Sequence, residues 1–124
     1  MKQEEHNLQC ACVKWFAYQH PELKGLLFAV PNGGARSKAT AGKLKAEGIV
    51  PGVADLILFV PCVVSGGATA FHALCIEMKT ANGLQRTTQR EWQEKVMQYG
   101  YDYQVARSLD DFIRIVESYL DGDI

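Results

Sequence analysis

Two periods of apolar residues alternate along this chain, and each switch between them marks an element boundary. Between Glu4 and His20, Leu8, Cys12, Trp15 and Phe16 recur at helical spacing. The His20-Pro21 step predicts a stop, because proline disfavours the helical conformation of the residue before it. Leu26-Leu27-Phe28-Ala29-Val30 is a continuous apolar run closed by Pro31-Asn32-Gly33-Gly34, which reads as a buried strand entering a loop. Ser37 is placed to cap a helix reaching about Glu47, with Gly48 ending it and Pro51-Gly52 making the next turn. Asp55 opens a strand whose residues Leu56 to Val60 are apolar throughout, as expected of a strand covered on both faces. The small residues Ser65-Gly66-Gly67-Ala68 predict a turn, and with it a hairpin whose second arm runs from Ala70 to Lys79. Asn82-Gly83 breaks the pattern, after which Thr87 or Thr88 is the expected cap of a helix carrying Gln89, Trp92, Val96, Met97 and Tyr99 up to Gly100. Tyr101 to Ala106 alternates like a last strand, and Ser108, with Asp111 three residues on, opens a final helix through Leu109, Phe112, Ile113, Val116 and Leu120. The order α-β-α-β-β-α-β-α predicts a single α/β domain over residues 1–124, a mixed β-sheet flanked by helices.

Composition narrows the class. A chain of 124 residues buries enough surface for one core without staples, and 48% apolar against 22% charged residues is a globular balance. The net charge of −1 does not mark a dedicated polyanion binder, but the charges are unevenly placed. Arg36, Lys38, Lys43 and Lys45 fall in a stretch without acids, whereas Asp110, Asp111, Glu117, Asp121 and Asp123 face only Arg114 near the end. No apolar run approaches the ~20 residues of a membrane span, so a cytoplasmic protein with no membrane partner is expected. Cys10, Cys12, Cys62 and Cys75 form no CxxC pair, and the first two point to opposite sides of a helix, so free thiols are expected rather than zinc or structural disulfides. His6, His20 and His72 share no ligand spacing, and Trp15 and Trp92 sit at core-facing helix positions.

The candidate chemistry lies where charge interrupts these apolar strands. Asp55 begins one, and Glu77 and Lys79 close the next on a common face, since side chains alternate along a strand. Charges in such company are costly. If the two strands pair, Asp55 and Glu77 converge as two oxygen ligands of the kind Mg²⁺ or Mn²⁺ prefers, and Lys79 stands where an ammonium orients water and stabilises charge on an attacked phosphate. An E-x-K triplet after an aspartate also reads as a surface ion pair, Glu5 as a first-turn carboxylate favoured by the helix dipole, and Gln89 as a solvated residue. Asn32, Gly33 and Gly34 followed by Arg36, Lys38 and Lys43 read either as a turn or as a grip on phosphates by backbone amides and cations.

In order along the chain stand Glu5-x-x-x-Gln9, Pro31-Asn32-Gly33-Gly34 with Arg36, Gly48-Ile49-Val50-Pro51-Gly52-Val53-Ala54-Asp55, Glu77-Met78-Lys79, Gln89-x-x-Trp92, Gly100 and Ser108-Leu109-Asp110. In these residues the chain resembles the virus-type replication-repair nuclease domain (VRR-NUC) family of the PD-(D/E)xK, restriction-endonuclease-like superfamily. The resemblance spans nearly the whole chain; Ala54 stands where many relatives have proline. It implies a Mg²⁺- or Mn²⁺-dependent endonuclease with Asp55, Glu77 and the Met78 backbone carbonyl as metal ligands. Lys79 would serve the nucleophilic water, with Glu5 (or its neighbour Glu4) and Gln89 as accessory residues. Short free-standing members, often from phages and bacteria, resemble Holliday-junction resolvases acting as homodimers, which implies branched DNA as substrate. A flap or nicking nuclease, a restriction-like enzyme and a non-catalytic DNA-binding module of the same fold are the alternatives.

Overall fold

The computed structural model describes residues 3–31 and 37–124; Asn32, Gly33, Gly34 and Arg36 lie outside the described residues. The elements are α1 (Gln3–Gln19), β1 (Leu27–Ala29), α2 (Lys38–Ala46), β2 (Leu56–Leu58), β3 (Cys62–Val63), β4 (Thr69–Phe71), β5 (Leu74–Met78), α3 (Thr87–Gln98), β6 (Asp102–Ala106) and α4 (Leu109–Asp121), with a short 3-10 turn at Pro21–Leu23. Local chemistry sets most of the helix ends. Ser37 accepts a hydrogen bond from the Thr40 N–H to start α2, Ser108 accepts from the Asp111 N–H to start α4, and Gly122 ends α4 in the left-handed conformation at φ 70°.

The main sheet has the order β1-β2-β5-β6, antiparallel except for the parallel β5–β6 pair, so it is mixed as expected. Its register separates two faces. Leu27, Leu58, Leu74 and Asp102 form one row across the sheet, and Phe28, Ile57, Cys75 and Tyr103 form the next, on the opposite face. The first face packs with α1 and α4 around Leu56, Leu58, Ile76, Phe16, Phe112 and Val116. The second meets α3 through a smaller cluster of Cys75, Tyr103 and Ala54, against which Trp92 and Val96 pack. β5 is central and buried along its whole length, the position in which a glutamate is least expected.

Two features depart from the pattern reading. The arm expected from Ala70 to Lys79 is two strands, because the Ser65–Gly67 turn closes a separate small β3–β4 hairpin rather than joining β2 to β5. The chain then crosses to the main sheet, where the His72 N–H donates to the Gly100 carbonyl and Ala73 accepts from Asp102. The apolar runs are also less buried than expected: β1 has no buried residue, and in the run expected to be covered on both faces Phe59 is 64% exposed, in edge-to-face contact with Phe28 at 43%. Helix α3 packs on β6, at the far side of the sheet from them.

Candidate active site

Antiparallel pairing of β2 with β5 sets Leu56 opposite Ile76, and one step further along the same register Asp55 faces Glu77. The Asp55 Oδ2 accepts the Met78 N–H at 2.7 Å, which fixes the carboxylate against β5. A residue's N–H and C=O point to the same side of an extended strand, so the Met78 carbonyl is directed to Asp55's edge as well. Lys79 continues the strand, its N–H bonded to the Ala106 carbonyl, and its Nζ stands 3.9 Å from Glu77 Oε2. Arg107 holds the segment that follows, donating to the carbonyls of Thr80 and Gly83.

Gln89 completes the arrangement from α3. Its Oε1 accepts the Arg86 N–H at 2.8 Å, which dictates the amide orientation and turns Nε2 toward Glu77 Oε2 at 2.9 Å. The N-cap of α3 is therefore Arg86, one residue before Thr87, and the expected threonine cap is replaced by half of a capping box in which Gln89 reaches back to the cap N–H. Among the described residues the buried polar or charged side chains are Glu77, Lys79, Gln89 and Asp102, and the first three meet at one place. That place is a cavity of about 620 Å³ whose wall also includes Glu5, Gln9, Gly52, Asp55 and Arg86.

Electrostatically the site holds more carboxylate than it can neutralise. Burial first, then the Asp55 charge and a hydrogen bond to its carboxyl, push the Glu77 pKa up from 4.5 to about 8, against the opposing pull of Lys79 and the Tyr103 hydroxyl. Folded, metal-free protein thus holds a proton between about pH 4.5 and 8 that the unfolded chain has released, so this group's contribution to stability is lost as pH rises through that window. Glu77→Gln is expected to remove that loss: in chelator, its stability relative to wild type rises by ~1–3 kcal/mol between pH 5 and 8. Denaturation curves at the two pH values measure it, and a pH-independent difference refutes the assignment.

The donor set fits a hard divalent cation. Two carboxylates and a backbone carbonyl are all oxygen, and Gln9 Oε1 is a buried acceptor in the cavity wall with no hydrogen-bond partner among the described residues. No three His, Cys, Asp or Glu side chains gather closely enough to hold a metal by themselves among the described residues, so Glu5 lines the cavity without closing a three-carboxylate group. Lys38 and Lys43 are exposed on α2 and outside the cavity wall. The four cysteines are free; Cys12, Cys62 and Cys75 are buried, with thiol pKa values raised by desolvation.

Gly52 explains part of the Gly-Val-Ala-Asp stretch. It has φ +88°, and a Cβ there would collide with the Thr88 carbonyl, so the turn before Asp55 can lie directly under the first turn of α3. Gly52→Ala is expected to cost at least ~2 kcal/mol of stability, read by chemical denaturation; a neutral substitution would show that the close approach is dispensable. Neither Arg86 nor Tyr103 stands out as a site residue in the sequence. The signal for the first was the Arg-x-x-Gln spacing at a helix start; the second carried none beyond a strand position.

No family model and no curated protein matches the chain. A solved structure described as a VRR_NUC domain protein is similar to it at a TM-score of 0.79 and 25% identity, covering 97% of this chain and 90% of its own. With the mixed sheet, its flanking helices and the acids gathered at β2 and β5, that likeness identifies the fold: the chain has the VRR-NUC architecture, restriction-endonuclease-like and of nuclease type.

Proposed function

We propose that the protein is a Mg²⁺- or Mn²⁺-dependent endodeoxyribonuclease acting on branched DNA, with the four-way junction as its substrate and a homodimer as its working form. The observation that carries this reading is the meeting of Asp55, Glu77 and Lys79 in one cavity, with Glu77 buried and held by Gln89. Asp55, Glu77 and the Met78 carbonyl would hold the ion, with Glu5 approaching from α1. A bound divalent cation supplies Lewis acidity toward water and toward the phosphodiester. The rest falls to the chain. The Lys79 ammonium hydrogen-bonds and orients the attacking water and offsets the charge that builds on the phosphate. Gln89 keeps the Glu77 carboxylate from rotating, and the Arg86 N–H in turn keeps Gln89 in place. Arg86 in the cavity wall, with Arg36, Lys38, Lys43 and the Asn32-Gly33-Gly34 amides, would grip flanking phosphates.

The dimer follows from the symmetry of the substrate. A four-way junction has two-fold symmetry, and a two-fold pair of small domains presents one active site to each of the opposed strands. The test is cleavage of four-way junctions, flaps, single strands and plain duplex, with and without Mg²⁺ or Mn²⁺. Metal-dependent paired incisions in the junction are expected. DNA retention without product in any metal would make the chain a binding module, and preferential cutting of flaps or plain duplex would remove the resolvase assignment.

A further inference from the structure

Glu77 is held from two sides, and only one of them belongs to the site described so far. On the parallel neighbour strand β6, Tyr103 is 4% exposed and shares the sheet face of Cys75 and Glu77. Its hydroxyl donates to Glu77 Oε1 at 3.2 Å, while Gln89 on α3 donates to Oε2. The phenol cannot turn away. Gln85, in the segment before α3, sends its Nε2 to the Tyr103 oxygen at 3.3 Å and to Gln93 Oε1 at 2.8 Å, so the phenol oxygen already has a donor and its own O–H is left for Glu77. Trp92 packs edge-to-face on the ring at 6.1 Å and fixes its plane.

We propose that Tyr103, oriented by Gln85, is a positioning residue that aims the Glu77 carboxylate at the divalent-cation site; the inference rests on the function proposed above. Both side chains that donate hydrogen bonds to Glu77 are neutral. An arginine or lysine in place of Tyr103 would fix the carboxylate equally well but cancel its charge, whereas a phenol and an amide hold it in one orientation and leave the charge for a cation. A carboxylate offers about four lone-pair sites, so two hydrogen bonds leave both oxygens able to coordinate. A side chain free to rotate would present them in many directions, and groups that orient a ligand in this way are worth about 10–100-fold in metal affinity.

The experiment is calorimetric titration of the full chain with MnCl₂, comparing wild type, Tyr103→Phe and Gln85→Leu, with thermal denaturation of each in chelator. Tyr103→Phe keeps the ring and its contact with Trp92, and is expected to weaken Mn²⁺ binding at least ~10-fold, with cleavage recovering as Mn²⁺ is raised. Gln85→Leu is expected to weaken binding by a smaller factor in the same direction, and it decides the matter if the phenylalanine variant does not fold. A Mn²⁺ dissociation constant within about two-fold of wild type overturns the proposal, even if metal-free stability drops, since that drop alone marks a purely structural tyrosine. If wild type itself takes up no Mn²⁺, the proposed function fails and this inference with it. If wild type binds and the variants bind equally, only the role of Tyr103 is lost.

Discussion

Lys79→Ala is expected to slow cleavage by about 10²–10³-fold at saturating metal while leaving folding and DNA retention close to wild type. The substitution removes one ammonium at the cavity wall and little else. The Lys79 backbone remains bonded to Ala106, the strand end remains clamped by Arg107, and the truncated stem opens into an existing cavity rather than a packed core. Nζ lies 3.9 Å from Glu77 Oε2, outside hydrogen-bonding distance, and Glu77, whose pKa burial already raises, can keep a proton once the ammonium is gone, so no uncompensated buried charge is left behind. On the proposed function, what disappears is the donor that would orient water and meet charge developing only as the phosphate is attacked, so the loss would fall on turnover rather than binding. Single-turnover rates alongside a retention assay measure both quantities. Wild-type turnover in this variant removes Lys79 from the mechanism, and lost retention together with lost turnover reassigns it to substrate binding.

The parts of this site that pattern reading reached are those encoded locally. A serine just before a helical stretch is enough to place the start of α2 or α4, and an acid inside a run such as Leu74–Met78 is conspicuous in one dimension. The opposition of Asp55 and Glu77 was conditional on pairing, and pairing is a tertiary matter: β2 and β5 are sheet neighbours across an intervening hairpin whose own turn looked like theirs. The same limit hid Tyr103, whose importance depends on β6 lying parallel beside β5, and Gly52, whose need for glycine arises from a carbonyl thirty-odd residues away on α3. Phe28 and Phe59 show the opposite error. A continuous apolar run such as Leu56 to Val60 reads as covered on both faces, but coverage depends on where α3 packs, and its main sheet contacts are with β6.

Asp55→Asn is expected to give two effects of opposite sign. The amide oxygen of asparagine can still accept the Met78 N–H that Asp55 Oδ2 accepts at 2.7 Å, so the local fold has what it needs. The negative charge is gone. If Asp55 is a direct ligand, as the proposed function has it, it contributes more than a residue that merely orients one, so Mn²⁺ affinity should fall by at least ~10²-fold and cleavage at fixed metal should drop to background. Without metal the substitution should instead stabilise the protein at pH 8, because the Asp55 charge is one of the causes that hold Glu77 in its protonated form, and removing it relieves repulsion between the half-buried Asp55 and the buried Glu77. Loss of activity through misfolding would lower stability in chelator; loss of a charge kept for a cation raises it. Thermal denaturation in chelator and MnCl₂ titration of the same preparation separate the two. A variant that is less stable without metal would make Asp55 a structural cap for the Met78 N–H, and a variant that cleaves at the wild-type rate would show that hydrolysis proceeds without this carboxylate.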